Sequence, residues 1–272
     1  MELFTRRHVL LGVSCALVAL AGVRDVLAQT PPATAGPVDP KLIEDLVAAN
    51  RILVDQGVVD GYGHVSVRHE KAADRYLMSR SIAPELVTAA DIMEYDLDST
   101  PVDPQGRTSY LERFIHGEIY RARPDVRAIV HNHSPSVIPF GVTAAPLRPL
   151  YHMSAFLSAG VPVFDIRQAS GGMTDMLVRN AALGQALART LGTRPVALMR
   201  GHGAVVVGAS LPLVVFRSVY TEVNARLQAQ AMALGGGQVT YLDPEEARQA
   251  EASVAGTVSR PWELWKRKAL TR

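Results

Sequence analysis

Three histidines stand where residue type and spacing suit a metal ion. His131 and His133 are two residues apart at the end of the apolar run Ala128-Ile129-Val130, which reads as a buried strand. A strand repeats every two residues, so both imidazoles fall on one face. His202 lies in Arg200-Gly201-His202-Gly203, between Met199 and the valine run Val205 to Val207. That segment reads as a hairpin tip, where glycine lets a neighbouring strand or an ion approach closely. Three neutral imidazoles with an open position is how catalytic divalent sites are built. Spacing alone leaves two readings: a ligand set, or histidines that merely hydrogen-bond on a strand.

The elements that must position these residues follow from hydrophobic periodicity. Asp39-Pro40 is an N-cap followed by proline at the first helical position, and Ile43, Leu46, Val47, Leu53 and Val54 then recur at helical spacing up to Gly57. Residues 64–68, 76–79 and 93–97 read as short strands. Helical spacing returns over 108–121, with Leu111, Phe114, Ile115 and Ile119 on one side, and Pro124-Asp125 stops it. Residues 161–166 and 196–199 are further strand candidates, with an amphipathic helix expected between them over 174–191. A long helix follows over 212–234, begun by Pro212 and closed by Gly235-Gly236-Gly237. Strands interspersed with helices of this length predict a sheet covered on both faces. Neither an internal repeat nor a second domain boundary is visible.

The N-terminus reads as a targeting signal over residues 1–28: Thr5-Arg6-Arg7-His8-Val9-Leu10 is a twin-arginine pattern, an apolar stretch runs from Val9 to Val23, and Val26-Leu27-Ala28 offers small residues for cleavage. The stretch is too short and too rich in Gly and Ala for a good membrane span. Export of a folded protein to the periplasm is therefore expected, with no stable membrane span after cleavage. Cleavage takes Cys15, the only cysteine, which limits a transition-metal site in the mature chain to His, Asp and Glu. Loss of Arg6, Arg7 and Arg24 against Glu2 and Asp25 takes the net charge from +2 to +1, which argues against nucleic acid as a partner. Residues 29–38 read as a Pro/Ala/Thr linker, 39–242 as the domain, and 243–272 as a tail packing on the domain or on a neighbouring subunit.

Residues Ser109 to Ser134, SYLERFIHGEIYRARPDVRAIVHNHS, resemble the most characteristic block of the class II aldolase/adducin family. Arg200-Gly201-His202-Gly203 resembles that family's third-ligand hairpin, and Gly63-His64-Val65-Ser66-Val67-Arg68 its early G-N-x-S-x-R segment. The correspondence runs in order from about Pro40 to Gly236. It implies a three-layer α/β/α domain with a mixed, mostly antiparallel central sheet. It implies too that His131, His133 and His202 bind a divalent metal, that Glu112 is the catalytic acid/base, and that the protein is a homotetramer. Zinc suits three imidazoles, with manganese, iron and cobalt as alternatives. Ser109-x-x-Glu112 also fits a capping box, in which the glutamate merely closes a helix. His116, four residues on, either tunes Glu112 or is a core histidine.

Departures from the family pattern narrow the expected chemistry. His64 stands where sugar-phosphate members have Asn. Met78-Ser79-Arg80-Ser81-Ile82-Ala83-Pro84 replaces their Gly loop, removing backbone donors for a phosphate. Arg80 offers a two-pronged donor suited to a carboxylate, so His64, Ser66, Arg80 and Ser81 are the expected substrate-binding residues. His152 stands where the sugar aldolases have a proton-donating Tyr, and is expected to take that role in its own or a neighbouring subunit. The expected activity is that of a lyase on a small unphosphorylated hydroxy- or oxo-acid, by aldol cleavage or decarboxylation. A divalent ion would stabilise the charge that develops when the C–C bond breaks. Alternatives are an isomerase or dehydratase on an unphosphorylated sugar, an aromatic-acid oxygenase or decarboxylase, and a non-catalytic adducin-like interaction domain.

Overall fold

A computed structural model describes residues 31–271. The expected signal, residues 1–28, lies outside the described residues. Helix α1, Pro40–Asp55, starts where Asp39 accepts a hydrogen bond from the Lys41 amide and Pro40 needs no donor partner. The chain is already held before that point. Glu94 accepts from the Thr34 hydroxyl at 2.6 Å and the Ala35 amide at 2.8 Å, and Val38 packs on the core. The latter part of the expected linker is thus docked, because the Glu94 carboxylate meets its backbone.

Seven strands form one sheet: β1 His64–Arg68, β2 Arg75–Ser79, β3 Ile92–Asp96, β4 Ala128–Asn132, β5 Val163–Phe164, β6 Val196–Met199 and β7 Gly203–Gly208. Their order is β3-β2-β1-β4-β7-β6-β5, and every neighbouring pair is antiparallel except β5–β6. Strand alternation divides the core in two. Ala128 and Val130 of β4 point into a cluster with Val65, Val67, Val206 and residues of α1 and the long helix α6, Leu211–Leu234. Ile129 points the other way, with Tyr76, Val205, Val207 and residues of α2, Phe114–Ala122, and α5, Ala181–Leu191. Two buried clusters on opposite faces of one sheet make the expected three layers.

Two helices begin later than periodicity predicts. The segment expected to open a helix at 108 is irregular until a 3-10 turn, Leu111–Arg113, in which Glu112 takes φ −90° and ψ 16°, before α2 proper. The second helix starts at Ala181 rather than Thr174, with the Asn180 side chain capping the Leu183 amide. Residues 174–180 are held open because their backbone serves the site described below. Short helices α3, Ile138–Val142, and α4, Ile166–Ser170, were not anticipated.

The tail forms α7, Pro244–Ala255, and α8, Ser259–Leu270, both packed on their own chain. Trp262 is 4% exposed within the α1/α6 cluster, and Lys266 bridges Glu44 and Asp45 at 2.5 and 2.7 Å. No helix among the described residues is long and apolar enough to cross a membrane.

Candidate metal centre

Strand alternation sends His131 to the same sheet face as Ile129, toward the turn that leads into α2, and His133 follows two residues on. His202 enters from the tip between β6 and β7. Gly203 is demanded there: a Cβ built on it would lie 2.0 Å from the Asn132 carbonyl oxygen, where β4 pairs with β7. One ligand atom from each of Glu112, His131, His133 and His202 falls within 4.8 Å of the others.

The ring orientations are set by the main chain. His131 Nδ1 lies 3.1 Å from the Ala204 carbonyl and His202 Nδ1 lies 3.0 Å from the Met176 carbonyl. A carbonyl only accepts, so each Nδ1 carries the proton and each Nε2 turns a lone pair inward. His131 Nε2 is buried without a hydrogen-bond partner, and the His133 and His202 Nε2 atoms are 3.0 Å apart. Converging lone pairs with no donor between them fit a divalent cation. Burial, with His131 and His202 nearby, pushes His133 down to about 4, so it is neutral and able to ligate at pH 7.

Glu112 is not a helix cap. Ser109 instead accepts from Tyr95, and Glu112 Oε1 accepts from the Val178 amide at 2.9 Å. Oε2 lies 3.4 Å from both His131 Nε2 and His202 Nε2. Burial alone would raise this carboxyl, but the imidazoles of His131 and His202 outweigh it and hold Glu112 well below the usual carboxylate range. The same carboxylate outweighs burial at His202 and raises that imidazole. Residues 174–180 stay out of the helix because Met176 supplies its carbonyl to His202 and Val178 its amide to Glu112; Met176 accordingly sits at φ 70°, in the left-handed region.

Glu112, His131 and His133 of the centre open onto a pocket of about 320 Å³, a volume suited to a small molecule. Glu112, His131, His133, His64 and Ser81 line it, and its walls are largely apolar: Tyr62, Ile82, Tyr110, Leu111 and Leu177. Loop residues such as Tyr62 and Leu177 carry no periodic signal, which is why the sequence did not single them out.

Three expected site residues lie elsewhere. Arg80 is not in the lining: its Nε donates to Asp91 at 2.6 Å, and Asp91 is itself fixed by Thr88, so that edge of the guanidinium is held on a loop. Ser66 is fully buried behind the wall, 2.6 Å from His116 Nδ1 and 2.8 Å from the Tyr120 hydroxyl, because β1 turns it toward α2. His152 is exposed and lines a different pocket, with Phe156 and Arg217. Both ring nitrogens of His116 are engaged away from Glu112. It bridges Ser66 and His64, its Nε2 lying 2.6 Å from His64 Nδ1.

The family model for the Class II Aldolase and Adducin N-terminal domain matches residues 44–229. A decarboxylase of Talaromyces stipitatus, tropJ, is 38% identical over 250 residues, 84% of this chain and 94% of that protein. A 3,4-dihydroxyphthalate decarboxylase of Arthrobacter keyseri is 29% identical over 236 residues, 80% of this chain and 90% of its own. Among solved structures, an L-fuculose 1-phosphate aldolase of Glaciozyma antarctica superposes with TM-score 0.70 at 24% identity, covering 88% of this chain and 94% of its own. With its metal-ligand geometry, its seven-stranded sheet and these likenesses in agreement, the chain belongs to the class II aldolase/adducin family.

Proposed function

We propose that this chain is a zinc-dependent carboxy-lyase that removes carbon dioxide from a small, unphosphorylated aromatic hydroxy acid. The observation that carries the reading is the pocket itself, in which Glu112, His131 and His133 of the metal cluster meet walls of Tyr62, Tyr110, Ile82, Leu111 and Leu177. Such walls match a flat apolar ring better than a polyhydroxylated sugar phosphate. The named relatives support it, since two of those most similar in sequence are decarboxylases, one of them acting on a dihydroxyphthalate.

His131, His133 and His202 hold the cation, which supplies Lewis-acid stabilisation of negative charge on substrate oxygens. Glu112, kept ionised, takes the proton of a substrate hydroxyl and delivers it to the ring carbon that carries the carboxylate. The C–C bond then breaks, its electron pair returns to the ring, and carbon dioxide departs; a proton from solvent restores the hydroxyl. His64 and Ser81 line the pocket within reach of polar groups on the substrate, and the apolar wall excludes water from the reacting carbon. The deciding assay compares carbon dioxide release from hydroxylated benzoates and phthalates with cleavage of fuculose phosphate, on zinc-loaded protein. Faster turnover of the sugar phosphate overturns the reading.

Export and assembly belong to the same proposal. The twin-arginine pattern supports periplasmic residence, tested by Lys at both Arg6 and Arg7, which should leave the precursor in the cytoplasm. Homotetramer formation is tested by light scattering. His152 lies outside its own chain's pocket, so its proton-donor role belongs to a neighbouring subunit's site, and mixing a His152→Ala chain with a Glu112→Gln chain should restore part of the activity lost in each.

A further inference from the structure

Behind the pocket wall runs a buried polar chain that the metal centre does not use. The Tyr120 hydroxyl lies 2.8 Å from Ser66 Oγ, Ser66 Oγ 2.6 Å from His116 Nδ1, and His116 Nε2 2.6 Å from His64 Nδ1. Tyr120, Ser66 and His116 are at most 1% exposed, and His64, at 3%, is the one that reaches the pocket. Among the described residues, no protein group hydrogen-bonds His64 Nε2.

The protons of this chain can be ordered in one direction without loss. If His116 Nδ1 carried its proton toward Ser66, either the serine or the tyrosine hydroxyl would be left donating to nothing, in a place without water access. A buried donor left unmet bears its whole desolvation penalty. Running the other way, Tyr120 donates to Ser66, Ser66 to His116 Nδ1, and His116 Nε2–H to His64 Nδ1, so every link is met. Burial pushes the Tyr120 phenol up, which keeps it a donor, and pushes His116 down to about 3, which keeps that ring neutral with a single proton to place.

We propose that the chain from Tyr120 through Ser66 and His116 fixes the His64 tautomer, so that Nε2–H faces the pocket as a hydrogen-bond donor to a substrate oxygen. Ser66, His116 and Tyr120 are then positioning residues. A second consequence concerns the metal. The His64 ring centroid is 5.1 Å from that of His131, and β1 and β4 pair at these two residues. An Nε2 that bears a proton has no lone pair to give, so the relay keeps a fourth imidazole from ligating and leaves a coordination position for substrate. The role as substrate donor rests on the function proposed above; the tautomer does not.

The test is the ¹⁵N spectrum of histidine-labelled protein, recorded zinc-loaded and again after chelation, with His64 assigned by its loss in His64→Gln. The expected result is a pyrrole-type Nε2 and a pyridine-type Nδ1 in the wild-type protein in both states. A proton on His64 Nδ1, or zinc-induced loss of the Nε2 proton, overturns the proposal. Ser66→Ala should shift His64 toward a mixture of tautomers and lower kcat/KM by about 10- to 100-fold with zinc content unchanged. An unchanged tautomer in that variant overturns the relay. Tyr120→Phe should keep the wild-type tautomer, because Ser66 remains free to donate to His116, and a flip there refutes the stated direction. Failure of the aromatic-acid assay alone overturns the proposed activity and leaves the tautomer standing, since the spectrum needs no substrate.

Discussion

At the residue scale, the centre separates ligation from proton transfer. His131 and His202 present Nε2 because their Nδ1 atoms are tied to backbone carbonyls, so replacing either imidazole removes a donor that nothing nearby can replace. His131→Ala and His202→Ala should each abolish stoichiometric zinc, read by elemental analysis, while far-ultraviolet circular dichroism stays native. Glu112→Gln keeps a carbonyl oxygen to accept from the Val178 amide, so the turn should survive, but a neutral amide cannot move a proton. The expected loss in kcat is about 10²- to 10⁴-fold, measured at saturating substrate with metal content checked in parallel. His131, His133 and His202 stood out in the sequence because the strand period and the paired glycines act locally, whereas Glu112 was marked only by the resemblance of its block to the family. Arg80 was misread for the opposite reason: its partner Asp91 lies eleven residues away across a loop, and nothing in the local pattern says which anion a guanidinium will meet.

At the scale of elements, the site depends on β7 lying tightly against β4. Gly203→Ala places a methyl group against the Asn132 carbonyl at the register point beside His202. The strain should cost about 1–3 kcal/mol, seen as a lower urea midpoint, together with weakened zinc retention. The strands were legible within a residue or two where both faces are buried. The late starts of α2 and α5 were not, because the turn at Glu112 and the irregular run 174–180 are fixed by long-range bonds, from the Val178 amide to Glu112 and from His202 to the Met176 carbonyl. Hydrophobic periodicity extends through both segments and says nothing of those bonds.

For the whole molecule, the two tail helices and the buried histidines set the stability. Trp262 fills the α1/α6 cluster, so Trp262→Ala should destabilise by about 3–5 kcal/mol in chemical denaturation, and removal of residues 243–272 should expose that core. His116 is neutral when folded, with its pKa lowered to about 3, whereas the unfolded chain protonates near 6.5. Between those values the unfolded state binds the extra proton, so stability is full above about pH 6.5 and falls as the pH drops toward 3. The slope from this one group is about 1.4 kcal/mol per pH unit. Denaturation midpoints at pH 7 and pH 5, compared with His116→Gln, measure it; an equal fall in the variant would assign the effect to other groups.

The carbonyls that orient His131 and His202 belong to Ala204 and Met176, and every residue type carries such a carbonyl. No side-chain exchange at 176 or 204 deletes the acceptor itself, provided the backbone keeps its course. In genetic terms the mutational target for losing the ligand orientation is small. Lineages can therefore vary the side chains around the metal, and with them the molecules admitted, without first dismantling the means of holding it.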